Sequence, residues 1–420
     1  MDILVIGGGG REHAICHALK KSKRCGKLYC MPGNAGIAEL AECHPHIKAT
    51  DSDAILSFLE AHKNVEYIVV APDDPLYQGL VNKLTEAGHR AFGPTAEAAI
   101  IEGSKAFSKN LMQKYGIPTA AYAVFSDYNE AAAYVKTQKL PLVIKADGLA
   151  LGKGVLICET WEDVDAALRA VMVSNMFGDA GKKVVIEEFL RGKEVSVLCF
   201  TDGKTIVPMV SSQDHKRALD GDKGLNTGGM GTFSPSKFYT ADMAERVNKF
   251  ILQPTVAAMN SEGRTFKGVL YVGLMIDGDD IRVLEYNARF GDPETQVVLP
   301  LLKTDLVDVM EACTDGTLDR VDMQWSKSSC VCVILASGGY PQIYAKGKKI
   351  TIAPLDRGVT LYHSGTARDS SGNLITSGGR VIGVVAKGRT IEAARKLVYA
   401  NVKRVQFENV HYRNDIGYKL

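Results

Sequence analysis

The chain has 420 residues, 46% of them hydrophobic, and a near-even charge balance of 50 Lys+Arg against 48 Asp+Glu, a formal net charge of +2. That length suggests about three domains, the charge balance gives no reason to invoke nucleic acid or a membrane surface, and no stretch approaches transmembrane length. Nine irregularly spaced cysteines without a Cys-x-x-Cys pair, and an N-terminus with neither a basic flank nor a long apolar run, predict a cytoplasmic enzyme with reduced thiols and no anchor.

Ile3 to Ile6 reads as a strand that stops at Gly7–Gly10, and a helix follows with Ala14, Ile15, Ala18 and Leu19 on one face. Such a turn can hold an anion through backbone N–H groups and the helix dipole. Glu12 stands where a dinucleotide turn needs a small residue, and Met31-Pro32 ends the second strand without a ribose-binding carboxylate. Phosphate monoester is therefore favoured over NAD, with a ligand-free tight turn as the alternative. Strands at Leu28–Met31 and Tyr67–Ala71, with an amphipathic segment at Ala54–Ala61 and a helix at Leu76–Ala87, continue a β-α-β-α rhythm. That rhythm predicts a parallel sheet covered by helices.

A new unit begins near Gly103-Ser104 with a helix over Lys105–Tyr115. Leu142–Ala146 is a strand, Lys145 to Val155 a glycine-rich loop bracketed by Lys145 and Lys153, and Val155–Cys158 the returning strand. Lysine offers a point charge to phosphate oxygens, and glycine lets backbone close over them. Gly154 rather than Ser or Thr after Lys153 excludes a Walker-A loop, and an ordinary hairpin loop remains the bland alternative. Trp161–Val173 is a helix. Val184–Glu188 is a strand ending in Glu187 and Glu188, which with Glu194 can face a ribose or an adenine edge beside apolar Phe189 and Leu190. A solvated acidic turn is the competing reading.

Residues 211–235 are polar, glycine-rich and weakly periodic, and read as a long functional or mobile loop suited to a zwitterionic or phosphorylated substrate. A helix over about Ala241–Met259 precedes a hairpin of Gly268–Ile276 and Ile281–Tyr286. Period two puts Glu285, Asn287 and Arg289 on one face. The carboxylate and amide oxygens suit Mg²⁺, and the guanidinium suits a carboxylate or a transferring phosphoryl group. Gly291-Asp292-Pro293-Glu294-Thr295 looks like a turn opening a helix, a second candidate anion site. Beyond Trp325, strands at Cys330–Leu335, Val359–His363 and Val381–Ala386 and a helix at Ile391–Val405 suggest a smaller α+β domain.

In order along the chain, Gly7–Arg11, Pro32–Gly36, Phe92–Thr95, Glu102–Lys105, Lys145–Val155, Glu187–Leu190, Ser212–Lys216, Asn226–Gly231, Glu285–Glu294 and Asp415–Tyr418 resemble the ATP-grasp superfamily. Within it they resemble the glycinamide ribonucleotide synthetase (phosphoribosylamine–glycine ligase) family, over essentially the whole chain. The resemblance implies an α/β and α+β multidomain fold. It has an N-terminal parallel-sheet (Rossmann-like) domain over 1–103, an ATP-grasp domain over 104–327 with a lid subdomain over about 118–190, and a C-terminal α+β domain over 328–420.

It further implies that ATP phosphorylates glycine and that 5-phosphoribosylamine attacks the glycyl phosphate. Lys105, Lys145, Gly152, Lys153 and Gly154 would hold the triphosphate. Glu187, Glu188, Phe189, Leu190 and Glu194 would hold adenosine. Glu285 and Asn287 would bind Mg²⁺, with Mn²⁺ as the alternative ion. Arg289 and Asp214 would be catalytic, Asp214 facing the amino groups. Gly9, Gly10, Lys216, Asn226, Gly291, Asp292, Pro293 and Glu294 would bind substrate. The expected partners are these small molecules alone, with no nucleic acid and no membrane, in a monomer. Asp73 in Ala71-Pro72-Asp73 is shorter than the family's usual glutamate, Leu151 replaces a usual alanine, and Tyr286 a common phenylalanine. The alternative function is another ATP-grasp carboxylate–amine ligase or carboxylase acting on a different small acid.

Overall fold

The computed structural model describes residues 1–149, 154–174 and 176–418. The apolar runs of the first hundred residues form a five-stranded sheet in the order Glu42–Cys43, Leu28–Pro32, Asp2–Gly7, Val65–Val70, Ala91–Phe92. Every pairing in it is parallel. Ile3, Leu4, Val5 and Ile6 are all fully buried, as strands covered by helices on both faces must be. The helix expected over Leu76–Ala87 is two helices, Asp73–Tyr77 and Leu80–Glu86, because Gly79 between them has φ +79 and cannot continue the turn.

The central region is two antiparallel sheets. One orders Tyr122–Phe125, Val184–Glu188, Leu142–Ala146 and Val155–Cys158, and carries the helices Tyr128–Val135 and Trp161–Met172 on its own small core. Thr160 starts the second of these helices by a capping box with Asp163. The other sheet orders Ile206–Pro208, Lys193–Thr201, Gly268–Asp277 and Asp280–Asn287.

Residues 211–235 are not the long loop their composition suggests. Gln213–Asp214 and Gly231–Ser234 pair with one another, and Gly231–Ser234 pairs antiparallel with Ser329–Ala336. They thus extend the C-terminal sheet, whose order is Gln213–Asp214, Gly231–Ser234, Ser329–Ala336, Arg380–Gly388, Val359–His363. Phe233 is buried in that domain's core. Between them Arg217–Leu219 and Lys223–Asn226 make a separate two-stranded hairpin. The helix near 241–259 runs Ala241–Val247, a π-turn Asn248–Leu252, then Gln253–Ser261. Pro254 lacks the N–H that α-helical bonding would require, which accounts for the wider turn before it. The last helix stops at Val402, and Val405–Gln406 pairs with Thr351–Ile352.

Candidate active site

A bulge aims the polar triad. Gly273 pairs with Glu285 but Leu274 with Val283, leaving Leu284 as the extra residue of its strand. Ahead of it the odd positions Ile281 and Val283 are buried; beyond it the even positions Tyr286, Ala288 and Phe290 are. An unbroken period of two from Ile281 would have sent Glu285, Asn287 and Arg289 into the core. With the bulge, all three line a cavity of about 820 Å³ between the two central sheets.

The cation row of that cavity is built on a buried carboxylate. Glu187 Oε1 and Oε2 pair with Lys145 Nζ and Lys109 Nζ, each at 2.9 Å, and all three side chains are under 10% exposed. Glu188 accepts from Ala121 N at 2.8 Å and from Arg282 Nη1 at 2.7 Å. Both residues line the cavity, and each carboxylate is held by cations from segments distant in the chain, Glu187 by Lys145 and Lys109 and Glu188 by Arg282. What remains at this edge is Phe189 and Leu190 with Val155, Ile157, Met275 and Leu284, an apolar slot, and Glu194, which meets Lys216 at 3.4 Å.

Lys105 donates to Gly148 O at 2.8 Å, and Asp147 accepts from Ser104 Oγ and Ala106 N, each at 3.0 Å. The head of the glycine loop is thus tied to the start of the Lys105–Lys114 helix. Gly154 lines the cavity; Gly152 and Lys153 lie outside the described residues.

Burial lowers Lys109 from the ordinary 10.5 to about 8 against the pull of Glu187. Between those two values the unfolded chain binds more protons than the folded one, so this lysine makes stability rise as pH increases from about 8 towards 10.5. Lys109→Met is expected to flatten that slope in denaturant melts at about pH 8 and about pH 10. An unchanged slope would mean Lys109 is not the titrating group.

Lys216 lies 3.3 Å from Glu285 Oε1, and its charge, with those of Lys145 and Lys105, holds Glu285 down to about 2 despite burial. Asn287 Oδ1 accepts from Arg289 Nη2 at 3.1 Å. Among the described residues no group of three or more His, Cys, Asp or Glu could hold a metal. Two hard oxygen donors on one wall instead fit an ion that completes its shell with phosphate and water. Arg289 Nη2 also pairs with Glu102 at 2.9 Å, and Nη1 donates to Phe290 O at 3.3 Å. Its buried Nε has no acceptor among the described residues. Burial alone would raise Asp73, but Arg289 and Arg11 outweigh it and hold it low. Asp73 and Glu102 thus back the guanidinium from behind.

Asp214 is pushed well above the usual carboxylate range by burial and by the Glu294 charge. Glu294 Oε1 accepts from Ser196 Oγ at 3.3 Å, which in turn meets Tyr271 OH at 2.8 Å. Asp214, Glu294, Lys216 and Asn226 all line the cavity. Gly291 and Pro293 do not; they shape the turn, with Pro293 packed against Gly229.

Arg380, from the C-terminal sheet, pairs with Asp292 at 3.0 Å and donates to Asp292 O at 2.9 Å and Gly228 O at 2.6 Å. It stands with Asp292 and Tyr340 between the large cavity and a second one of about 400 Å³, lined by Gly8, Gly9, Asn34, Ser364, Thr366 and Ser377 among others.

The first turn works differently from the sequence expectation. The Gly9 N–H donates to the Glu12 carboxylate, so the helix start binds its own side chain rather than a free anion. Gly9 still lines the second cavity, but Gly10 lines neither. A Cβ on Gly10 would meet Gln296 Nε2 at 2.6 Å and Ser364 Oγ at 2.7 Å, so its role is close packing. Sequence reading missed Lys109, Glu102, Arg11, Tyr271, Tyr340 and Arg380 as site residues. Arg11 and Glu102 carried a cue, since they sit in the Gly7–Arg11 and Glu102–Lys105 motifs; the others stand outside any motif read from the sequence.

Three family models for phosphoribosylglycinamide synthetase match in tandem: the N domain over 1–102, the ATP-grasp (A) domain over 103–295 and the C domain over 330–419. The phosphoribosylamine–glycine ligase of Listeria monocytogenes is 45% identical over 421 residues, covering 100% of both chains. That of Caldanaerobacter subterraneus is 44% identical over 417 residues, 99% of each. The solved phosphoribosylamine–glycine ligase of Thermotoga maritima has TM-score 0.86 at 34% identity, over 99% of this chain and 100% of that one. A biotin carboxylase from Campylobacter jejuni, with TM-score 0.76 at 14% identity over 99% of this chain and 94% of its own, shares the fold alone. Matched by successive domains over 1–295 and 330–419, and by relatives of equal length, the chain belongs to the phosphoribosylglycinamide synthetase family of ATP-grasp enzymes.

Proposed function

We infer that the chain joins glycine to 5-phosphoribosylamine at the expense of ATP, giving glycinamide ribonucleotide, ADP and phosphate in purine biosynthesis. The observation that carries this reading is the order of groups along one continuous site. Lysines and an apolar slot come first, then Glu285, Asn287 and Arg289, then Asp214 and Glu294, then a second cavity behind Asp292 and Arg380.

Each half of the site suits one reactant. Lys105, Lys145 and Gly154 hold the triphosphate, joined by Gly152 and Lys153 as the family resemblance implies. The adenine enters the slot of Phe189 and Leu190, with Glu194 at the ribose. Glu285 and Asn287 would hold Mg²⁺, or Mn²⁺ in its place; bound there the ion neutralises phosphate charge. A glycine carboxylate oxygen attacks the γ-phosphorus and ADP leaves. Arg289, with Nε free, orients that carboxylate and stabilises the transferring phosphoryl group.

The phosphoribosylamine nitrogen then attacks the acyl carbon, and phosphate departs with the oxygen that came from glycine. Asp214 lines the cavity, and its ionised carboxylate, made more basic by burial and by Glu294, is placed to take the amine proton. Gly9, Asn34, Ser364 and Thr366 receive the phosphoribosyl end, with Lys216, Asn226, Asp292 and Glu294 along its path. Positioning and charge neutralisation supply most of the rate.

Domain limits are assigned at 103/104 and 327/328, with the lid over about 118–190; the C-terminal sheet borrows two strands from the central domain. No helix among the described residues is long and apolar enough to cross a membrane. Free thiols at every cysteine fit a cytoplasmic enzyme, and a monomer is the assembly proposed. ADP release followed with each substrate withheld in turn tests the assignment. It requires glycine and phosphoribosylamine together with a divalent ion; ADP release driven instead by bicarbonate or another acid would refute it.

A further inference from the structure

The Arg217–Leu219 and Lys223–Asn226 hairpin borders the cavity yet has little of its own to hold it there. It is two-stranded and pairs with no other strand, and a hairpin that small is marginal in water. Its apolar residues Leu219 and Leu225 are about half exposed, so apolar burial does not anchor it.

Polar bonds from the end of the chain do. Arg413, 1% exposed, donates through Nη1 to Arg217 O at 3.0 Å and to Asp222 Oδ1 at 2.9 Å. Its Nε and Nη2 fork onto the two oxygens of Asp415, each at 2.7 Å. Asp415 Oδ2 accepts from Gly221 N at 2.8 Å. Asn414 donates through its backbone and its amide to Asp220, at 2.8 and 3.0 Å, and His411 Nε2 donates to Ala218 O at 2.7 Å.

The same segment is fixed to the C-terminal domain on its other side. His411 exchanges backbone bonds with Ala336, each at 2.8 Å. Tyr399 OH donates to Arg413 O at 2.8 Å, and Arg395 donates to Asn414 O and Ile416 O at 2.9 and 3.0 Å.

We propose that the His411–Asp415 segment is a strut that holds the 217–226 hairpin against the cavity, and that Arg413 is a positioning residue for the acyl-acceptor half of the reaction. The hairpin's two ends carry the argument. Lys216 precedes it beside Glu285; Asn226 ends it, Thr227 and Gly228 follow, and Gly228 O is held by Arg380 at 2.6 Å between the two cavities. The nucleotide side, built on Lys105, Lys145 and Glu187, receives no bond from the strut. Lys216 also meets Glu194 on the nucleotide side at 3.4 Å, but that pair is part-exposed and weak, so loosening the strut moves the acceptor end more than the nucleotide end. A fork of charged hydrogen bonds fixes orientation in a way that one flexible ammonium does not.

The test uses the full chain in reverse, forming ATP from ADP, phosphate and glycinamide ribonucleotide; for these substrates it rests on the proposed function. Arg413→Lys is expected to raise the KM for glycinamide ribonucleotide about tenfold, with the KM for ADP changed less than about twofold. Asp220→Ala, an exposed change that leaves the core intact, is expected to shift the same KM by about threefold in the same direction. Amide exchange is expected to show the Asn414 N–H losing protection in Asp220→Ala, and the 217–226 amides losing it in Arg413→Lys. Both KM values rising together, neither moving, or hairpin protection unchanged in Arg413→Lys would overturn the proposal. If the wild-type chain forms no ATP from these substrates, the functional reading fails, and amide exchange alone then decides the strut.

Discussion

Arg289→Ala is expected to lower turnover by about a hundred- to a thousandfold while ATP binds with almost unchanged affinity. The guanidinium is backed by Glu102 at 2.9 Å and by the Asp73 charge, and its Nε is left for a ligand. Its removal deletes the donor aimed at the reacting carboxylate but none of the lysines or the apolar slot that hold the nucleotide. It also strands buried Glu102, and breaking one side of a buried ion pair costs about 3–5 kcal/mol unless the acid protonates. Burial already favours that protonation. Turnover is therefore to be measured well below the variant's own melting temperature, with nucleotide affinity determined by calorimetry on the same sample. Arg289→Lys keeps the charge and loses the fork, and is expected to recover little. Near-normal turnover in Arg289→Ala would remove this residue from the chemistry.

Lys145→Met carries the second large effect, a fall in kcat/KM for ATP of about a hundredfold or more. Lys145 is the lysine that both ends the strand before the glycine loop and pairs with buried Glu187. Glu187→Gln makes the useful comparison, because its carboxylate pairs with both Lys145 and Lys109. It is expected to raise the KM for ATP about tenfold, through lysines that lose their anchor. A Glu187→Gln variant with wild-type ATP kinetics would show that the lysines position themselves.

Much of the fold was legible because it is local. Ile3–Ile6, the helix from Trp161 and the hairpin of Gly268–Ile276 and Ile281–Tyr286 all announce themselves within a few residues. What escaped was set by distant partners. Gly231–Ser234 reads as loop because its strand character lies in its pairing with Ser329–Ala336. Glu187 reads from sequence as an adenosine contact; its pairing with Lys109, from a helix far earlier in the chain, leaves no local mark.

The triad Glu285, Asn287 and Arg289 was legible from local alternation. The Leu284 bulge that turns it away from the core was not, since a slip of one residue leaves no mark on composition. At the first turn the Glu12 carboxylate takes the Gly9 N–H, a competition between side chain and ligand that glycine spacing alone does not reveal. Arg380 and Tyr340 enter the site only because the C-terminal sheet is continuous with Gln213–Asp214 and Gly231–Ser234.

The central claim is that ATP activates the carboxylate of glycine as an acyl phosphate before the amine attacks. Glycine labelled with ¹⁸O in both carboxylate oxygens, incubated with ATP, phosphoribosylamine and a divalent ion, tests it directly by mass spectrometry of the products. One labelled oxygen is predicted in inorganic phosphate and one in the glycinamide ribonucleotide carbonyl, with one ADP formed per product. Unlabelled phosphate formed together with glycinamide ribonucleotide would contradict the account.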